Sequence, residues 1–263
     1  MSEKVAIPTD EAHPVLHDLQ DGVGIITLNR PRLHNALNDA ARAALKEALI
    51  WARDDDAVRA VLLQGAGRSF CSGRDRNGFL ETGKHASHRE LILAAQELRL
   101  LQCELGKPSI CALHGHAIGA GAELALGCDF RIAGADLKYS FPEVGFGVVS
   151  DTGSSALLTR LLGPARAKWL LASGEIMDAR QAADWHLVEW VVETTELADA
   201  AFEKAARLAR RPPAALRKQS ELIDAAAPAL LRQALSREME AQMELFAGSE
   251  FALIREQGFQ AHG

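Results

Sequence analysis

Three carboxylates stand in apolar or glycine-rich surroundings: Glu123 after Gly119-Ala120-Gly121-Ala122, Glu143 after Phe141-Pro142, and Asp151 eight residues further on. A carboxyl removed from water resists ionisation, so acids in such places are suited to carrying protons between reacting atoms. Singly, each reads equally well as a helix-start charge or a structural acceptor. Two small-residue turns accompany them. One runs from Leu113 through Gly115, Gly119 and Gly121 to Glu123, and the other is Arg68-Ser69-Phe70-Cys71-Ser72-Gly73-Arg74-Asp75. Such turns let a ligand approach the main chain, and one N–H from each of two segments is what an enolate oxygen requires. Tight packing alone also accounts for either turn taken singly.

Other chemistries find less support. Gly65-Ala66-Gly67 has Phe70, and Gly119-Ala120-Gly121 has Leu124, where a dinucleotide-binding turn needs its third glycine. No Gly-Lys-Ser or Gly-Lys-Thr is present. The pairs His114, His116 and His85, His88 lack converging partners, so no metal is expected. The four cysteines, at 71, 103, 111 and 128, form no Cys-x-x-Cys pair, which suits reduced thiols in a cytoplasmic setting. A formal charge of −6, from 29 basic and 35 acidic residues, disfavours nucleic acid as a partner. The first twenty residues hold no apolar run of the secretory type. Ser109 to Cys128 is about as long as a bilayer span, but its glycines, His114, His116 and Glu123 favour a buried strand-turn-helix, so no membrane partner is expected.

Elements that would position these residues alternate between strand and helix. The pattern predicts strands at Val23 to Leu28, Val58 to Leu63, Ile110 to Leu113, Phe130 to Ala133 and Leu187 to Val192. It predicts helices from Asn38 to Arg53, about His88 to Leu105, and Gly119 to Gly127, then alanine-rich helices over 196–211, 214–226 and 228–247. The class is α/β with crossover connections, followed by a helical C-terminal region whose corners fall at Pro212-Pro213 and Pro228.

In order and spacing these phrases resemble the crotonase superfamily, the enoyl-CoA hydratases and isomerases. The resemblance begins at Thr27-Leu28-Asn29-Arg30-Pro31 and Asn35-Ala36-Leu37-Asn38. It continues through Phe70 to Asp75 and His114 to Glu123, and reaches Phe141-Pro142-Glu143-Val144-Gly145. It implies a spiral of repeated β-β-α units over 1–195 carrying the active site, with a C-terminal helical region, 196–263, that forms a homotrimer or homohexamer. It implies an acyl-CoA thioester as substrate and no separate cofactor or metal.

Carried over, the oxyanion hole falls on the backbone N–H groups of Arg74 and Ala120, although a small residue is usual where Arg74 stands. Ala36, Ser72, Gly73, Asp75 and Gly119 match positions along the coenzyme A and substrate track. Arg30, Arg32 and Arg76 are candidate partners for its phosphates. Glu123 and Glu143 match the two acids that hold a water and hydrate the 2,3 double bond. Asp151 is the departure, since the dienoyl-CoA isomerase branch uses an aspartate here together with the residue matching Glu143. Because that branch carries aspartate where Glu123 stands, hydration is favoured over double-bond isomerisation. A non-enzymatic RNA-binding relative is the third reading, disfavoured by the acidic balance and the intact glutamate pair.

Overall fold

The computed structural model describes residues 13–75, 88–224 and 227–257. Successive β-strand pairs followed by helices build two sheets. The larger contains β1 (Val15–Gln20), β2 (Val23–Leu28), β3 (Ala60–Gly65), β4 (Ser109–Leu113), β6 (Phe130–Gly134) and β9 (Trp190–Val192), in the order β1-β2-β3-β4-β6-β9. Only β1 is antiparallel to its neighbour. The smaller sheet takes β5 (His116–Ile118), β7 (Lys138–Ser140) and β8 (Met177–Asp178). Cys71 joins it through a parallel bridge to Ala117.

Parallel strands buried on both faces read as near-continuous apolar runs, as in Ala60-Val61-Leu62-Leu63. Val61 and Leu63 face the larger core, which also holds Leu45 of helix α1 (Asp39–Asp54) and Leu98 of α2 (His88–Cys103). Ala60 and Leu62 face the opposite side, covered by Leu197, Ala201 and Ala205 of a later helix, Leu197–Ala209. The helical region expected to begin at 196 therefore contributes its first helix to the main core, because that sheet face needs a cover.

The remaining helices in chain order are α3 (Ala120–Leu126), α4 (Ser154–Ser173), α5 (Ala179–Asp184), α6 (the covering helix Leu197–Ala209), α7 (Pro213–Asp224), α8 (Ala227–Ala247) and α9 (Ser249–Glu256). Asn38 caps α1 by accepting the Ala41 N–H at 2.9 Å, as expected of its residue type. The third strand lies two residues later than expected, since Arg59 and Ala60 N–H groups first close the turn onto Gly22 O. Helix α4 carries Gly163-Pro164 inside it with Gly163 at φ 75°, a break that hides its periodicity in the sequence. The stretch Ser109 to Cys128 folds as β4, β5 and α3, and no described helix is long and apolar enough to cross a membrane.

The site depends on how α3 docks. Cys71 N–H donates to His116 O at 2.9 Å, and Ile118 N–H donates to Cys71 O at 3.0 Å. Gly121, in the first turn of α3, sits so close to this segment that a Cβ there would lie 2.3 Å from Cys71 O. Gly121→Ala is therefore expected to lift α3, destabilise the fold by about 1–3 kcal/mol and lower the thermal midpoint by several degrees. An unchanged melting curve would contradict this account of the docking.

Candidate active site

Gly73, at φ +95°, carries the first turn onto the second: a Cβ on it would meet Ile118 O at 2.7 Å and Ala120 N at 3.4 Å. Only a residue without that atom lets the two turns touch. Leu37 N–H donates to Gly73 O and Asp75 N–H donates to Leu37 O, a parallel bridge that turns the Arg74 N–H away from Leu37. The Ala120 N–H lies in the first turn of α3, where no helical carbonyl precedes it. Arg74 and Ala120 both line a cavity of about 180 Å³.

Ser72, Gly73 and Gly119 line the same cavity, as do all three acids. Gly119, at φ +54°, has no side chain to hold off the Glu143 carboxyl, whose Oε1 would lie 3.0 Å from a Cβ placed there. Glu143 Oε2 is buried with no hydrogen-bond partner among the described residues. Glu123, 3% exposed, accepts the Thr152 N–H at 3.2 Å and the Ser154 hydroxyl at 2.9 Å, both on Oε1. Asp151 faces Arg74, whose Nη2 lies 3.1 Å from one carboxylate oxygen and 3.5 Å from the other. The small residue usual at position 74 is thus replaced by one whose side chain meets the additional acid.

Burial pushes the Glu123 carboxyl up to about 8, with Asp151, Glu143 and Glu238 adding to the shift and Arg99 opposing it. Burial likewise pushes Glu143 up to about 7, with the Asp151 charge adding and Arg74 opposing. Two neighbouring acids buried against one cavity resist ionising together, so their titration belongs to the pair.

The other candidates are placed differently. Arg30 turns inward, paired with Asp75 at 3.0 Å and bonded to Ala36 O, so its guanidinium ties residues 30, 36 and 75 together. Arg32 is exposed on the short turn Pro31–Leu33. Arg76 and His85 lie outside the described residues. His116 Nδ1 and His34 Nδ1 both meet Ser69 Oγ, at 3.0 and 2.9 Å, and His114 Nε2 meets Gly67 O at 3.0 Å.

Residues not singled out by the sequence clamp the strip that carries Asp151. Gln242 Oε1 accepts the Val149 N–H at 2.8 Å. Gln96 donates to Asp151 O at 3.0 Å and Arg99 to Thr152 O at 2.7 Å. Glu238 accepts from Gly153 N–H at 2.6 Å and from Ser155 N–H at 3.0 Å. The only signal was a spacing, Gln96 with Arg99 and Glu238 with Gln242, which equally describes a solvated helix face.

The enoyl-CoA hydratase/isomerase family model matches residues 18–262. The chain is 38% identical over 203 residues to the 1,2-epoxyphenylacetyl-CoA isomerase of Escherichia coli K12, covering 75% of this chain and 77% of that relative. It is 33% identical over 238 residues to the short-chain-enoyl-CoA hydratase of Clostridium acetobutylicum, covering 90% and 91%. The crystal structure of an enoyl-CoA hydratase from Mycobacterium avium subsp. paratuberculosis K-10 superposes with a TM-score of 0.83 at 30% identity, over 91% of this chain and 96% of that one.

The raised carboxyls carry a stability consequence. The ordinary value is 4.5, so between that and about 8 the folded chain binds more protons than the unfolded one, and stability falls as pH rises. Glu123→Gln removes one contributor to this slope. In denaturant unfolding, the variant should gain on the parent chain from about pH 5 to about pH 8.5. A difference that does not change with pH would contradict the raised carboxyl.

Proposed function

Because the chain belongs to the enoyl-CoA hydratase/isomerase family, we propose that it hydrates the 2,3 double bond of an acyl-CoA thioester. The observation carrying this reading is that Glu123 and Glu143 line one cavity with the turns of Arg74 and Ala120, while Asp151 is engaged by Arg74.

In this reading the thioester oxygen accepts the Arg74 and Ala120 N–H groups. Fixed donors aimed at that oxygen stabilise the negative charge it gains when a nucleophile adds at C3. A water held between the two glutamates supplies the nucleophile. The active form of the pair carries one proton, which the two coupled acids exchange, and the reaction draws on the arrangement with that proton on Glu143. The Glu123 carboxylate takes a proton from the water as its oxygen bonds to C3, the oxyanion turns hold the resulting enolate, and the Glu143 acid delivers its proton to C2. One water is consumed, and the proton left on Glu123 passes back to the pair. Carboxyls raised into the neutral range suit this exchange, because an acid and its conjugate base are both available there.

Double-bond isomerisation is the second reading, favoured by Asp151 lining the same cavity. There Glu143 and Asp151 would move a proton between two carbons, and Asp151 would first have to leave Arg74. The two differ in mass balance: hydration adds one water, isomerisation adds nothing. The homotrimer or homohexamer belongs to this proposal too, through the exposed Leu222 and Ile223 of α7 and Leu230 of α8, apolar surface that a copy of the chain would cover. The expected location is the cytoplasm, and no cofactor enters the reaction.

With a 2-enoyl-CoA, the product should gain one water, and Glu123→Gln and Glu143→Gln should each lower turnover by about 10²- to 10⁴-fold. Asp151→Asn should cost less. An unchanged mass with a moved double bond, abolished by Asp151→Asn and not by Glu123→Gln, would replace hydration with isomerisation. The dependence of kcat/KM on pH should be bell-shaped, its limbs set by carboxyls at about 7 and about 8. A flat profile between these values and about pH 10 would argue against the one-proton pair.

A further inference from the structure

One polar group in the cavity wall has no task in hydration. Gln242, on α8, is 2% exposed and lines the cavity beside Phe146, Val148 and Val149. Its Oε1 accepts the Val149 N–H. This bond fixes the amide's orientation, because a main-chain donor must face the oxygen and not the NH2 group. The nitrogen therefore presents its two hydrogens elsewhere; it makes no hydrogen bond to a described residue and is not among the sealed side-chain atoms that lack a partner, so it opens onto the cavity that Gln242 lines. A ligand that fills the cavity covers this donor, so one that supplies an acceptor gains what an apolar ligand, which leaves the donor unpaired, cannot.

Position and charge define the ligand group that fits. Gln242 is not part of the oxyanion turns at 73–74 and 119–120. It belongs to the wall of Phe146 and Val148, which Phe251 and Ile254 of α9 back from behind. A thioester seated on the turns leaves the rest of its acyl group to meet this wall. Glu123, Glu143 and Asp151 line the same space, and the Arg74 guanidinium is already paired with Asp151. An acyl group ending in a carboxylate would enter an acidic site, whereas a neutral oxygen would not be repelled.

Resting on the acyl-CoA reading of the cavity, we propose that Gln242 is a specificity determinant whose amide N–H group binds a neutral oxygen (carbonyl, hydroxyl or ether) on the acyl chain beyond C3. The preferred substrate class is an oxygenated acyl-CoA, discriminated from plain aliphatic esters by a single donor in the cavity wall.

Saturated thioesters do not react, so calorimetry separates recognition from catalysis. Pairs of equal length would be compared, one plain and one with an oxo group, placed in turn at each carbon beyond C3. At least one oxo ester should bind about tenfold tighter or more than its plain counterpart, an ester ending in a carboxylate should show no such gain, and Gln242→Met should abolish the preference. The substitution also removes the acceptor for Val149, but that loss acts on both members of a pair and cancels in their ratio. Equal binding of every pair by the parent chain overturns the proposal whether or not the variant folds, and so does a preference that persists in the variant. Hydration of a plain 2-enoyl-CoA without any oxo preference would remove this inference alone. An oxo preference without hydration would remove the assigned reaction and leave the donor's role standing.

Discussion

The close seating of residues 71–73 against 116–121 governs everything at the site. It is made by main-chain bonds between Cys71 and the β5 strand, and by two glycines, Gly73 and Gly121, whose missing Cβ atoms admit a backbone as neighbour. Contacts of this kind depend little on side-chain identity. Arginine can therefore stand at 74 while the N–H beside it keeps its direction, and the side chain is free to meet Asp151.

Around this seam the structure gathers acids where water is scarce. Glu123, Glu143, Asp151 and Glu238 are all buried or nearly so, and burial is the main reason that both glutamates of the cavity and Glu238 titrate above the ordinary range. Such an arrangement is unfavourable for folding, since each carboxyl loses its hydration. It persists because donors are supplied with matching precision: Thr152 and Ser154 to Glu123, Gly153 and Ser155 to Glu238, Arg74 to Asp151. The same donors hold the strip 149–155 in one shape, so stability given up in burying charge is linked to the order of the site.

Much of this was legible in the chain. The Asn38 cap, the glycine turns and the strand-helix alternation are local features with local causes, and they indicated the α/β class, while the resemblance in order and spacing supplied the spiral. The Asn35 side chain accepts the Arg30 N–H close by in the chain, but it also donates to Ala66 O and Ser69 O, 31 and 34 residues away, which no local pattern shows. What stayed hidden depends on pairings between distant segments. Arg30 and Asp75 read as ligand contacts because nothing local shows that they meet each other across 45 residues. Glu238 and Gln242 read as one polar stripe among several on alanine-rich helices, since helical spacing identifies a shared face without showing what that face meets.

The clamp on residues 149–155 also sets an order in time. Its donors from α2 and the two glutamates of the cavity are all synthesised in the first three-fifths of the chain, but the acceptors for Val149, Gly153 and Ser155 are on α8, near the end. A chain emerging from the ribosome can pair its sheet and bury Glu123 long before Glu238 and Gln242 exist. Until then the amides of Val149, Gly153 and Ser155 have only water to bond. Domains form as synthesis proceeds, but here the last helices close the strip, so a nascent chain carries both glutamates before it has the geometry to use them.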